Sequence, residues 1–161
     1  TERFTDTFEK VKEHFHTTFR KLFGGGRAEI FLEEPENVLE SGIEIRVRPP
    51  GKDLRNMALL SGGERSLTTV ALLFSIYQTK PPPFCLLDEV DAALDESNTV
   101  RMCEMLKEFA AKGQFLVITH ARPTMTVADR LYGVTMPEAG VSRRVSVQFA
   151  DIEAGRVVGL N

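Results

Sequence analysis

The stretch LLSGGERSLTTVALL, Leu59 to Leu73, sets two adjacent glycines at the head of an apolar, helix-forming run. Glycine costs a helix about 1 kcal/mol per position relative to alanine, so Gly62 and Gly63 need a reason. Ser61-Gly62-Gly63-Glu64 fits S-x-x-E ahead of an apolar run, the capping box in which Ser and Glu each satisfy an orphan N–H. That spacing predicts a helix beginning at Ser61. It leaves the glycines unexplained, because a capping box tolerates almost any residue between its ends. Glycine also admits another group close to the main chain. A helix N-terminus, with free N–H groups and a positive dipole end, is a ready anion site. Spacing alone leaves a plain cap and a phosphate-facing turn both open.

Beyond this helix, KPPP breaks the chain and FCLLDE (Phe84–Glu89) follows. Four apolar residues ending in two acids read as a strand buried on both faces, as in a parallel sheet. Ser97 to Lys112 reads as a helix with Val100, Cys103, Leu106 and Ala110 on one stripe and Gly113 as its stop. QFLVITH then gives a second buried strand. Strand, helix, strand makes a right-handed βαβ unit, with both strands pointing their C-terminal ends toward one ligand-binding edge.

On the other side of the glycines, Phe4, Phe8, Val11, Phe15, Leu22 and Phe23 recur at helical spacing, with Thr18 filling the gap and Gly24-Gly25-Gly26 as the stop. An ordinary surface helix and the end of a coiled coil both fit that pattern. Ala28, Ile30 and Leu32, then Ile43, Ile45 and Val47, alternate with polar or outward residues as two antiparallel strands. RPPGKDLRN follows as a loop. Near the end, Val145, Val147 and Phe149, and then Arg156 to Leu160, read as further short strands.

Composition sets outer bounds. The 161 residues suffice for one domain with a real core. A net charge of −3 gives no global basic field toward nucleic acid. No apolar run is long enough to span a membrane, and no signal-peptide pattern opens the chain. Cys85 and Cys103 lie in apolar segments without paired spacing, as reduced core residues of an intracellular protein. The first residue is Thr1, and the first helix lacks an N-cap, so a piece of something longer is expected.

Chemistry gathers at the strand ends. Asp88 offers magnesium a hard oxygen ligand, a role usually shared with phosphate oxygens and water. Glu89, one residue on, can take a proton from an attacking water. His120, ending the neighbouring strand, can donate to a γ-phosphate. Each alone would pass as a solvated loop residue. Converging on one sheet edge beside a glycine-opened helix, they read as a phosphate-chemistry site.

The order of these motifs resembles a known family. LSGGER at Leu60–Arg65 resembles the ABC signature motif, and FCLLDE resembles its Walker B. VDAALD at Val90–Asp95 looks like the D-loop, and ITH at Ile118–His120 like the switch histidine. With GGGRAEIFL, RPPGK and ADRLYGVTMPEAGVSRRVSV, the whole chain is similar to the prokaryotic SMC (structural maintenance of chromosomes) proteins. Ala121 and Pro123 depart from the more basic, glycine-bearing stretch expected after the histidine. No G-x-x-x-x-G-K-[ST] phosphate loop occurs anywhere in the sequence. The resemblance accounts for that, because the family's ATPase head is split and its Walker A lies in a distant N-terminal lobe.

The resemblance implies an α/β fold, the C-terminal lobe of an ABC-type ATPase head, with a parallel βαβ core, antiparallel strands and an N-terminal coiled-coil stub. Residues 1–23 would end the coiled-coil arm, and residues 24–161 would form the lobe. It implies Glu89 and His120 as catalytic and Asp88 as the Mg2+ ligand. Ser61, Gly62, Gly63, Glu64 and Asp95 would contact ATP held by a second head. The implied partners are the N-terminal head lobe, a second SMC head in a homodimer, a kleisin subunit and DNA, with no membrane. The setting would be the cytoplasm and nucleoid, the work chromosome condensation and segregation, and the isolated lobe inactive. Rival readings are a related double-strand-break repair ATPase, which the LYGVTM and GVSRRVSV segments oppose, and a non-catalytic scaffold lobe, which Glu89 opposes. A transporter subunit is disfavoured because its Walker A and signature would share one short chain.

Overall fold

The fold is taken from a computed structural model that describes residues 2–148. Helix α1 (Glu2–Phe23) buries Phe8, Phe15, Thr18, Phe19 and Leu22. Phe19 was not part of the expected stripe, yet it is fully buried, stacked on Phe23 at 4.1 Å between ring centroids and edge-on to Phe15 at 6.3 Å. The glycine stop works as a Schellman-type cap. Gly24 takes φ 70, and the Gly25 N–H reaches back to the Arg20 carbonyl at 2.8 Å.

Strands β1 (Arg27–Leu32), β2 (Ile43–Arg48) and the two-residue β3 (Arg55–Asn56) form an antiparallel sheet in that order. Ala28 pairs with Val47, and both are buried with Ile30 in the core. The expected loop RPPGKDLRN thus ends in β3, and a single 3₁₀ turn at Met57–Leu59 follows it before the signature.

Helix α2 (Gly62–Thr79) turns Leu67, Val70, Ala71 and Phe74 into the same core as the α1 phenylalanines. Side-chain bonds tie the two helices together: Gln78 Nε2 donates to Thr18 Oγ1 at 2.8 Å, and His14 Nδ1 stands 3.0 Å from Thr79 Oγ1.

Strands β4 (Phe84–Asp88) and β5 (Gln114–Ile118) pair in parallel, with α3 (Glu96–Ala110) between them in sequence. Two expectations need correction here. The strands are covered on one face, not two: Leu87 is buried, whereas Phe84, Leu86, Leu116 and Ile118 are 59, 60, 47 and 51% exposed. Alternation sends successive side chains to opposite faces, and among the described residues nothing is laid over the second face. The α3 stripe is also rotated. Thr99, Met102, Cys103, Met105 and Leu106 are buried, while Val100 and Ala110 face outward. Cys103 and Leu106 of the expected stripe are buried, and Thr99, Met102 and Met105 complete the covered face in place of Val100 and Ala110.

A short helix, α4 (Arg122–Thr126), follows β5 with Pro123 in its first turn, where a missing N–H does no harm. The antiparallel hairpin β6 (Arg130–Glu138) and β7 (Val141–Gln148) turns at Gly140, φ 81. It contains the expected strand around Val145. Phe149 and the strand expected at Arg156–Leu160 lie outside the described residues.

Candidate nucleotide-facing site

Ser61 caps α2 with extended backbone, and its hydroxyl oxygen accepts from the Glu64 N–H at 3.4 Å. Glu64 Oε2 accepts in return from the Ser61 N–H at 3.1 Å and the Ser61 hydroxyl at 2.7 Å. Glu64 Oε1 accepts from the Lys52 ammonium at 2.7 Å. Lys52, and after it the Ser61 hydroxyl, lower the Glu64 pKa from 4.5 to about 2. Arg65 braces the approach, donating to the carbonyls of Met57, Ala58 and Leu60 at 3.3, 3.1 and 3.4 Å.

The capping box is therefore real, and the glycines are still unexplained by it. Neither Gly62 nor Gly63 has positive φ. A Cβ on Gly62 would meet nothing within 4 Å, and one on Gly63 would lie 3.7 Å from the Ala93 carbonyl oxygen, an ordinary contact. The described chain has no internal steric need for either. What they leave is a bare, exposed turn at the positive end of an 18-residue helix, alongside the loop after β4.

That loop begins with strain. Glu89 has φ 48, the one non-glycine residue at positive φ among the described residues. Such a conformation costs an L-residue about 1–2 kcal/mol. The surroundings impose it: the Glu89 N–H donates to the Ile118 carbonyl at 2.9 Å, while its carbonyl accepts from the Ala92 N–H at 3.1 Å. The residue continues the parallel ladder and turns the chain at the same point. Asp88, paired with Ile118, is exposed beside it. His120 Nδ1 lies 3.8 Å from Glu89 Oε1. Asp88, Glu89 and His120 are thus brought to one end of the β4–β5 pair, as the strand reading expects.

Asp95 turns out to cap α3. Its Oδ1 accepts from the Asn98 N–H at 2.8 Å and the Ser97 hydroxyl at 3.0 Å, and its Oδ2 from Asn98 Nδ2 at 3.1 Å. The Asn98 N–H first, then the Ser97 hydroxyl, holds this carboxyl below its ordinary range.

Asp91 has a role that the sequence reading missed. It is buried, and its Oδ2 accepts from Thr119 Oγ1 at 2.6 Å and Thr124 Oγ1 at 2.5 Å. Thr119 Oγ1 in turn accepts from the Ala121 N–H at 2.9 Å. The loop after β4 and the turn around His120 are therefore latched together beneath the exposed Glu89 and His120. Asp91 stands inside VDAALD and Thr119 inside ITH, so the signal was present, but only the fold pairs them.

Similarity to known proteins follows the same lines. The RecF/RecN/SMC N terminal domain model matches residues 6–143. The chromosome partition protein Smc of Bacillus subtilis (strain 168) is 56% identical over 151 residues, 94% of this chain and 13% of that protein. This chain therefore spans only a small part of such a relative. A structure described under ATP-driven dimerization and DNA-stimulated activation of SMC ATPases superposes with a TM-score of 0.84 at 39% identity, covering 95% of this chain and 92% of that one. The Smc head domain of Pyrococcus furiosus, with an extended coiled coil and bound to the C-terminal domain of ScpA, superposes at 0.85 with 41% identity, covering 93% of this chain and 37% of that one. On sequence and on fold alike, the chain belongs to the RecF/RecN/SMC family and has the architecture of an SMC head domain.

Proposed function

We propose that residues 24–161 form the C-terminal lobe of an SMC ATPase head, with residues 1–23 ending its coiled-coil arm. The head would bind ATP and hydrolyse it at an interface between two heads, in chromosome organisation and segregation. The observation that carries this reading is Glu89, held in a strained conformation at the end of β4 with His120 3.8 Å away. Strain of this kind persists where the surroundings over-determine it, and it clusters at functional sites.

In this reading the Glu89 carboxylate takes the proton of the attacking water, and His120 donates a hydrogen bond toward the γ-phosphate. Ser61 and the N–H groups around Gly62 and Gly63 face the γ-phosphate held by the other head, and Asp95 lines the same interface. No set of three or more His, Cys, Asp or Glu side chains among the described residues is arranged around a metal. Asp88 suits the other arrangement, one exposed carboxylate that shares Mg2+ with phosphate oxygens. The cation would offset charge on those oxygens.

The phosphate cradle itself must come from an N-terminal lobe, since this sequence has none. The bare apolar face of Phe84, Leu86, Leu116 and Ile118 supports that, as a surface suited to a covering lobe. The lobe alone would be inactive. A kleisin like the ScpA bound by the Pyrococcus furiosus head, and DNA, are the partners that fit, in the cytoplasm at the nucleoid. No helix among the described residues is long and apolar enough to cross a membrane.

Glu89→Gln in the complete protein tests the reading. Gln keeps the shape and can hold water but cannot accept its proton. ATP-dependent head dimers should accumulate on a sizing column while turnover falls at least about a hundredfold. Normal turnover would refute the assignment.

A further inference from the structure

The capping box places a carboxylate at the mouth of the turn assigned to an incoming phosphate. Glu64 Oε2 holds both the N–H and the hydroxyl of Ser61, so a like charge borders the anion and occupies the proton a phosphate oxygen would accept. A glutamine at this position would complete the same box without the charge. The structure answers with Lys52, whose ammonium closes on Glu64 Oε1 at 2.7 Å. A tight turn presents the lysine: Gly51 takes φ 73, and the Lys52 N–H donates to the Pro49 carbonyl at 3.1 Å. Arg65, the cation next to Glu64 in sequence, has its guanidinium on backbone carbonyls instead.

We propose that Lys52 is a positioning residue of the signature turn, neutralising Glu64 so that the capping box can hold Ser61 without repelling the γ-phosphate of the partner head. Lys52 acts through Glu64 and need not touch the nucleotide. Lys52 is also the first cause of the low Glu64 pKa, as expected where an ammonium and a carboxylate stabilise each other's charge. The inference rests on the trans-acting signature proposed above.

The test uses the complete protein and Mg-ATP. Lys52→Ala should raise the ATP concentration for half-maximal head engagement roughly fivefold, with kcat at saturation nearly unchanged. ATP affinity of disengaged heads should not move. Lys52→Arg should restore engagement, which excludes a mere folding defect. In a Glu64→Gln background, Lys52→Ala should have less than roughly a twofold effect, since the charge to be compensated is gone. An equal loss in that background, or no loss in the native one, overturns the proposal. Ser61→Arg serves as the separate control. If that variant engaged normally, the trans-acting signature would fall and the role of Lys52 with it; if it blocks engagement, the Lys52 series alone decides.

Discussion

Asp91 Oδ2 and Thr119 Oγ1 lie 2.6 Å apart, joining segments separated by 28 positions in sequence. The bond sits beneath the exposed Glu89 and His120, and Thr124 shares the same oxygen. Asp91→Ala would strand two threonine hydroxyls, and a half-filled polar network is worse than an apolar one. A head carrying it should lose about 2–4 kcal/mol in urea unfolding. Asp91→Asn keeps an acceptor for both hydroxyls and should lose less. Equal losses would show that charge, rather than the accepting oxygen, matters.

Asp88 and Glu89 are adjacent yet carry different assignments. Asp88→Asn removes a hard ligand charge and should weaken Mg-ATP binding itself by roughly tenfold or more. Glu89→Gln should leave that affinity intact. Calorimetry on complete heads separates them, and identical behaviour would dissolve the division of labour.

Mixing two inactive heads asks whether the signature acts across a dimer. On the proposed roles, Ser61→Arg would fill the phosphate space and Glu89→Gln would remove the base. If the signature acts in trans, each composite site of a two-fold interface draws Ser61 from one head and Glu89 from the other. A mixed dimer then has one site with both lesions and one with neither. If one engaged site suffices, activity should recover to roughly a quarter of normal. A signature serving its own head gives no recovery, provided cross-linking confirms that mixed dimers form.

Acid should loosen the start of α2. Glu64 falls from 4.5 to about 2 in the fold, so its charged form is the stabilised one. Its contribution is fully present above about 4.5 and is lost as pH drops toward 2. Native and Glu64→Gln heads should therefore converge in stability across that window. A constant difference between them would contradict the ion pair with Lys52.

Local rules made much of this fold legible. Three glycines stopped α1, a capping box started α2, and acids marked the end of β4. What escaped depended on partners distant in sequence. Phe19 is the exception, since it lies four residues from both Phe15 and Phe23 on the same helical face, edge-on to the first and stacked on the second. β6 was hidden by Gly133 and Pro137, which interrupt its pattern: Gly133 still pairs with Val145, while Pro137 falls in the register shift between Thr135 and Glu138. The apolar runs of β4 and β5 read as strands buried on both faces, but this chain covers only the face of Leu87, and hydrophobicity along a strand does not say whether its own chain supplies the cover. At the site, single residues were readable and the Asp91 latch was not, because only folding brings Thr119 and Thr124 to it.

On the catalytic role proposed for it, Glu89 also sets stability against activity. Its backbone is one that asparagine or glycine adopts more readily than glutamate. Replacing it with either should raise the melting temperature of a head by roughly 2–4 °C, about 1 kcal/mol, while turnover is lost. Selection for robustness alone would remove glutamate from this position. On the role proposed for it, the strain at Glu89 is the cost of keeping a base at the end of β4, and relaxing that backbone by substitution would remove the base with it.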